Sequence, residues 1–511
     1  MSLPECRVDE EIDPRETTFY NIISEDEALS HLPCIDERTA ASPAKSKIQP
    51  QGDRTTYNLG EVIRITITVY NDYGLRKSTG GDQLRATLHN LKFSAHAPGI
   101  VTDNNDGTYT AELKAFWTGP SVVNVSISYT RELITALYRV RNQLLATRNI
   151  VGQFTSRTYT ETRMCHPSHK RMVEVFNRSE ICNMTYINSG MPFYCLKPTN
   201  QHLLCQDWTH VKTNQPYPEL PYSDCEEKLL KRAPDYLHQT LIVQVVDRPD
   251  LPPCTITPIV RCSRYNRKRL WTTRQPTGYF AEGKWNSALC RGKDMYQLLS
   301  CMKDRRLYLI GDSTLRHWYR YILLAMKCTP TTELWTTEKW HKEAECEIKD
   351  INFRAGWYPH SQPFFVGIEF DDVKYTLYSV SRRLDDIPSD EDAVVIVQLY
   401  MHTLSFHHSV FEERMKRIRR SIEKFLDRNR KSIVMIKGPH TFTSTPASNR
   451  LNDYFGFLYN KLLYEIFEGL HDRVVYLNNM DATIALQISF NHPPSFITAA
   501  MVKQALSFAC S

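Results

Sequence analysis

No run of 18 apolar residues occurs in the 511-residue sequence, which leaves nothing long enough for a membrane-spanning helix. No Cys-x-x-Cys pair occurs among its 14 cysteines, which argues against a zinc ribbon. Charge of one sign is scarce in excess: 63 Lys and Arg against 57 Asp and Glu leave +6, spread along the chain. The densest basic run, RCSRYNRKRL at 261–270, sits among cysteines and carries no nucleic-acid-binding motif, so it reads as a solvated face. The opening stretch MSLPECRVDEEIDPRE lacks an apolar leader.

What is present points to an oxidising compartment. Nine of the cysteines fall between Cys165 and Cys301 at irregular spacings, the pattern of dispersed disulfides rather than of a metal cluster. Three Asn-x-Ser/Thr sequons agree, at Asn124, Asn177 and Asn183. In VVNVSIS the alternation turns Val123, Val125 and Ile127 inward and predicts Asn124 facing water. The expectation is a secreted protein or one of the Golgi or ER lumen, glycosylated at these asparagines. Its true start is then expected to lie upstream of, or to differ from, Met1.

Four segments follow from the patterning. Residues 1–50 are polar and charged and read as a flexible N-terminal segment with Cys6 and Cys34 as possible anchors; TAASPAKSKIQPQGDR reads as a linker. Residues 51–150 read as a β-domain. VIRITITVY alternates, QLRATLHNL follows, and Asp106-Gly107 supplies a turn before alternating residues. Strands this close together predict an immunoglobulin-like sandwich. Residues 151–300, cysteine-rich and proline-punctuated, read as a disulfide-stapled connector. From 301 to 511 the apolar runs RRLYLI, AVVIVQLY, SIVMIKG and RVVYLNN alternate with amphipathic helices, which predicts an α/β domain on a parallel sheet. FFVGIEF and VKYTLYSVS read as further strands in the insertion after the first helix.

In an open α/β sheet, ligands sit beyond the carboxyl ends of the strands. Ser313, in YLIGDSTLRHW, occupies such an end and opens a helix. A serine hydroxyl becomes a nucleophile only when a base takes its proton. His492, in FNHPPSFITAAMVKQ, follows the last predicted strand, and Pro493 and Pro494 stiffen its loop. The alternative at this point is that Asp312 or Ser313 only caps the helix.

GDSTLRHW, the helix-rich C-terminal half and the closing NHPP…AC together resemble the NXPE (neurexophilin and PC-esterase domain) family. The segment VTDNNDGTYTAELKAFWTGPSVVNVSI also resembles a filamin-type immunoglobulin-like repeat. The family resemblance spans roughly residues 50–511 and implies a C-terminal domain related to the SGNH/GDSL hydrolases, with a neurexophilin-like half before it. It implies Ser313 as nucleophile and His492 as the terminal histidine. Related PC-esterases carry an aspartate three residues before that histidine, where this chain has Ser489. The Asp-x-Thr-Ile-Ala string, here in MDATIALQ, makes Asp481 the candidate to orient His492. Gly311, Asp312, Arg316 and His402 are the candidates for oxyanion and substrate-binding positions. At the second strand end the family pattern reads Leu-Gly-Gln-His and this chain reads Leu399, Tyr400, Met401, His402. His440 is a further rim candidate.

The implied activity is O-acetyl transfer or hydrolysis on glycans through an acyl-Ser313 intermediate, with sialylated or other glycoconjugates as substrates. No ligand spacing implies a metal or a bound cofactor; a transferase would draw on an acyl donor such as acetyl-CoA. The implied partners are a glycan or glycoprotein substrate and a cell-surface protein. The alternative is a secreted neurexophilin-like binding protein whose esterase-like domain is a non-catalytic scaffold.

Overall fold

The computed structural model describes residues 22–90, 92–213, 218–232, 234–247, 258–272, 276–333, 341–442 and 451–510. Two sheets share the first core. In Val62–Thr68 the alternating Ile63, Ile65 and Ile67 are fully buried, opposite Tyr109, Ala111 and Leu113 of the antiparallel strand Thr108–Lys114. With Lys47–Pro50 and Ile100–Asp103 they form a four-stranded sheet. Gly107, at φ +79°, makes the turn into Thr108–Lys114, a backbone conformation that glycine adopts without strain. The facing sheet centres on Gln83–Asn90 and Gly119–Tyr129, whose Leu84, Leu88, Val123 and Val125 fill the same core.

Three expectations are corrected in this half. Strands Leu241–Val246, Gly278–Ala281 and Lys284–Ser287 belong to the second sheet of the sandwich, so the 151–300 stretch is no loop-rich connector. Its earlier part forms a separate sheet ordered Ile181–Asn183, Tyr194–Leu196, Tyr159–His166, Ile150–Ser156, Trp208–Thr213, Asp371–Asp372, stapled by Cys165–Cys195 and Cys182–Cys205. These strands are short and half polar, and the disulfides stand in for much of the apolar signal. The N-terminal stretch is tied down rather than loose. Ser24 caps the helix Glu25–Leu29, Cys34 is bonded to Cys225, and Lys47–Pro50, inside the expected linker, pairs with Val62–Thr68. Cys6 and Cys254 lie outside the described residues; the other twelve form six disulfides, including Cys262–Cys290, Cys301–Cys510 and Cys328–Cys346.

A helix, Arg131–Gln143, follows the strand Gly119–Tyr129. Thr130 caps it, and Leu133, Ile134, Leu137 and Tyr138 bury into the larger core shared with the C-terminal half.

The C-terminal half is built on seven strands in the order Thr329–Pro330, Ala344–Ile348, Phe353–Pro359, Arg306–Gly311, Ala393–Gln398, Ile433–Lys437, Val474–Leu477. The last five in that order run parallel, and the first two are antiparallel edges. Four of the parallel strands are the apolar runs read from sequence. The fifth, Phe353–Pro359, replaces the expected FFVGIEF and VKYTLYSVS strands. Pro363 precedes the former and Gly367, at φ +110°, interrupts it; the latter forms a short 3-10 turn at Val373–Thr376 and the helix Val380–Asp386. In chain order the parallel strands lie 2-1-3-4-5, which reverses direction between the first strand, Arg306–Gly311, and the third, Ala393–Gln398. That switch point is where open α/β sheets leave a crevice for ligands.

Candidate active site

Ser313 opens the helix Ser313–Ala325 directly beyond the first strand. Gly311 is needed because the strands approach closely: a Cβ there would run into the Gln398 carbonyl. Asp312 caps the helix, its Oδ1 accepting the Thr314 N–H at 2.9 Å and the Thr314 hydroxyl at 2.6 Å. The Asp312 carbonyl accepts Leu315 and Arg316 N–H groups. The first-turn N–H of Ser313 itself has no acceptor among the described residues, which leaves it for a ligand oxygen.

Ser313 Oγ lies 2.7 Å from His492 Nε2. The two residues are 179 apart in sequence and meet because the loop carrying His492 is anchored from beneath. His440, at the end of the fourth strand, donates Nε2–H to the Asn491 carbonyl at 2.8 Å, and Tyr400 donates its hydroxyl to the His440 carbonyl at 2.9 Å. Tyr400, read as an intrusion at a glycine position, is therefore a buried strut. His440 likewise supports the site rather than rimming it.

Asp481 is not gathered with this pair. It sits in the first turn of the helix Met480–Ala485, and its carboxylate accepts the Thr277 N–H at 2.6 Å. Among the described residues no carboxylate lies within ion-pair distance of His492. The ring of His317 lies against it instead, centroids 4.6 Å apart and 5° from parallel. Ser313, Arg316 and His317 share one helix face at i, i+3 and i+4, a spacing visible in GDSTLRHW that marks His317 as a site residue.

The nearest negative charge is Asp312, buried under Ser313. Burial alone would raise its carboxyl; His402, Lys437 and the Thr314 donors outweigh that and bring it down to about 2. Burial pulls Lys437 down to about 8 against the attraction of Asp312. Burial also lowers His492, with Asp312 opposing, so the imidazole is neutral at pH 7 and free to take a proton. Burial, then the neighbouring His492, lowers His317 to about 4.

Asp312 and Gly311 thus lie below the site and do not face a ligand, contrary to expectation. The Met401 N–H, at the second strand end, is already bonded to Asp312 Oδ2 at 3.2 Å and cannot serve an oxyanion. His402 is corrected too. His360 Nδ1 lies 2.7 Å from the Ser361 carbonyl, which can only accept, so Nδ1 carries the proton. Burial keeps His360 neutral, down to about 4, so its Nε2 accepts from His402 Nδ1–H at 3.0 Å. Burial and His360 hold His402 well below its ordinary value, hence neutral, and its Nε2 is left bare. A bare nitrogen accepts a hydrogen bond from a substrate hydroxyl; it does not stabilise an oxyanion.

Ser313, His492, His402 and Arg316 line one cavity of about 230 Å³, walled by Phe364, Phe365 and Phe406 among others. Arg316 lies over the Trp357 ring at 5.7 Å, and burial, with Arg320 nearby, lowers it to about 10. Of the sequons, Asn177 and Asn183 are exposed. Asn124 is half-buried. Its partner across the sheet, Thr87, receives the Gln487 amide from the C-terminal half at 3.2 Å, so that face of the strand meets protein rather than open water.

These features define a disulfide-stapled multidomain protein whose α/β half holds a serine–histidine pair at the sheet's switch point. Two family models match the chain: one described as NXPE family member 4-like, C-terminal domain, over residues 285–510, and one described as neurexophilin, over residues 61–239. The chain belongs to the NXPE family. Among solved structures it is similar in part to FdeC, an Escherichia coli adhesin, at 16% identity over 40% of this chain and 66% of that one. The TM-score is 0.14, and no argument rests on it. No helix among the described residues is long and apolar enough to cross a membrane.

Proposed function

We propose that the C-terminal half is an SGNH-like acyl-transfer domain and that the sandwich before it is immunoglobulin-like, of the filamin type. The observation that carries the reading is the 2.7 Å contact between Ser313 Oγ and a neutral His492, at the mouth of a cavity on the switch point. The strand order, with the serine after the first strand and the histidine before the last helix, supports it.

In this reading Ser313 Oγ attacks the carbonyl carbon of an ester or thioester donor while its proton passes to His492 Nε2. The oxyanion faces the Ser313 N–H. Collapse expels the donor's alkoxide or thiolate, which takes the proton back from His492, and leaves acyl-Ser313. A glycan hydroxyl, directed by the bare Nε2 of His402, then gives its proton to His492 and takes the acyl group, and the departing Ser313 Oγ recovers that proton from His492. Water in its place makes the protein an esterase. The phenylalanine walls suit a small acyl group, and Arg316 suits an acidic sugar.

The binding-protein reading is favoured by two observations: among the described residues no carboxylate lies within ion-pair distance of His492, and the Met401 N–H is spent on Asp312. A fluorophosphonate probe separates the two. Covalent modification of the folded chain at Ser313, found by peptide mass mapping, supports the acyl-transfer reading. An unlabelled Ser313 in protein of intact fold would leave the domain a scaffold.

A further inference from the structure

Glu25, His407 and His408 come from opposite ends of the chain and meet beside the loop that carries Met401 and His402. Glu25 opens the helix Glu25–Leu29, and the two histidines directly precede the helix Ser409–Arg428. His407 Nε2 lies 3.2 and 3.3 Å from the two carboxylate oxygens of Glu25, and His408 Nε2 lies 3.6 Å from Oε2. One ligand atom from each residue lies within 4.8 Å of the other two. Bonds of about 2.0–2.1 Å at tetrahedral angles put donor atoms about 3.3–3.4 Å apart. The nitrogen–oxygen separations are those of ligands around one ion. Around them, His407 Nδ1 accepts the Ser409 N–H at 3.3 Å and lies 2.8 Å from Ser409 Oγ, and Asn142 donates its amide to Glu25 Oε1 at 2.6 Å.

We propose that Glu25, His407 and His408 form a zinc site, two imidazoles and one carboxylate giving three ligands and water the fourth. Imidazole and carboxylate together suit a borderline ion of this kind. The ion joins groups 382 residues apart in sequence, which is why no ligand spacing announces it. Its place suggests its work. Arg141 already holds the Leu404 carbonyl, and the Thr147 N–H holds the Ser405 carbonyl at 2.8 Å. The ion fixes the far end of the same loop and pins the N-terminal helix to it. The role is structural, and it stands apart from any chemistry at Ser313.

The test uses the full chain from a secretory host, stripped with a chelator and titrated with Zn²⁺ against a chromogenic competitor. One tight equivalent per chain is expected, with a thermal midpoint raised by several degrees on zinc addition. X-ray absorption of the loaded protein should show nitrogen and oxygen neighbours with the outer-shell scattering of two imidazoles. His408→Gln and Glu25→Gln should each weaken zinc at least tenfold and abolish the thermal shift. The proposal fails if the wild-type chain takes up no tight zinc, as expected when a proton alone joins the three groups. It also fails if absorption shows other than two imidazoles, or if folded variants bind zinc as the parent does. Should a variant not fold, the absorption spectrum of the parent decides.

Discussion

His317 and His492 lie ring on ring, 4.6 Å between centroids, so His317 covers the face of the base, whereas a serine hydrolase's carboxylate would meet its Nδ1 edge. The stack fixes the orientation of His492 by packing, not by a hydrogen bond. His317→Ala should therefore loosen the base and admit water to it. We expect kcat to fall roughly tenfold with KM little changed, since the loss lies in the transition state. Hydration also relieves the burial that lowers His492, so the acid limb of the pH–rate profile should move up toward the ordinary imidazole range. A limb that stays put would show that His317 does not shape the base.

Ser313→Ala tests the nucleophile without testing the fold. The hydroxyl's bond to His492 is one partly buried hydrogen bond, and Asp312, not Ser313, caps the helix. The variant should lose acyl transfer and probe labelling while its unfolding free energy changes by about 1 kcal/mol. Activity that persists would place the chemistry elsewhere.

Asp312 and Lys437 are both buried under the site and sense each other's charge across Thr314, with no direct ion pair between them. Asp312→Asn keeps a side chain able to cap Thr314 but removes the carboxylate charge that favours the buried ammonium, so stability should drop by about 1–3 kcal/mol. Lys437→Met should cost a comparable amount by stranding the carboxylate. The double variant should lose less than the sum of the two. In Asp312→Asn, His492 also loses the one charge that raises it, and its acid limb should shift to lower pH. Denaturant titrations of the four proteins measure the coupling; additive losses would mean that the charges do not sense each other.

Some of this was legible in the sequence for physical reasons. Strands buried on both faces of a parallel sheet are continuous apolar runs, so LYLI, AVVIV, IVMI and VVYL stood out. Ser313 and His492 could be assigned to one edge because parallel strands end together. The rest depends on side chains that only the folded chain brings near. Lys437 is one polar residue at the end of an apolar run, and His360 lies in the long insertion whose strands were misread. The helix Arg131–Gln143 lies where only strands were expected. Asp481 also follows a strand, but its helix turns the carboxylate toward Thr277, and position along the chain cannot report that turn.

Asp481→Asn separates a structural carboxylate from a catalytic one. An asparagine carbonyl can still accept the Thr277 N–H, so acyl transfer should fall by less than about threefold, with a modest loss of thermal stability. A triad aspartate replaced by asparagine costs about 10⁴ in kcat. A loss of that size would return Asp481 to the catalytic group.

Stability should decline as pH falls from 6.5 toward 4. Burial is the largest cause lowering His166, His317 and His360 to about 4 and His440 to about 3, so all four are neutral in the fold near pH 6. In the unfolded chain each titrates near 6.5. Below that value the unfolded state binds more protons than the native state, and the sign of the linkage makes acid destabilising. Each imidazole adds about 1.4 kcal/mol per pH unit within its window. Asp312, held at about 2, enters only below the ordinary carboxylate range and does not contribute here. Thermal midpoints measured from pH 7.5 to 4.5 at fixed ionic strength should fall steadily, and His166→Gln should make the slope shallower by one proton. A midpoint independent of pH over that window would mean that the buried imidazoles carry protons in the fold. The tautomer chain that leaves His402 with a bare nitrogen would then fail with it.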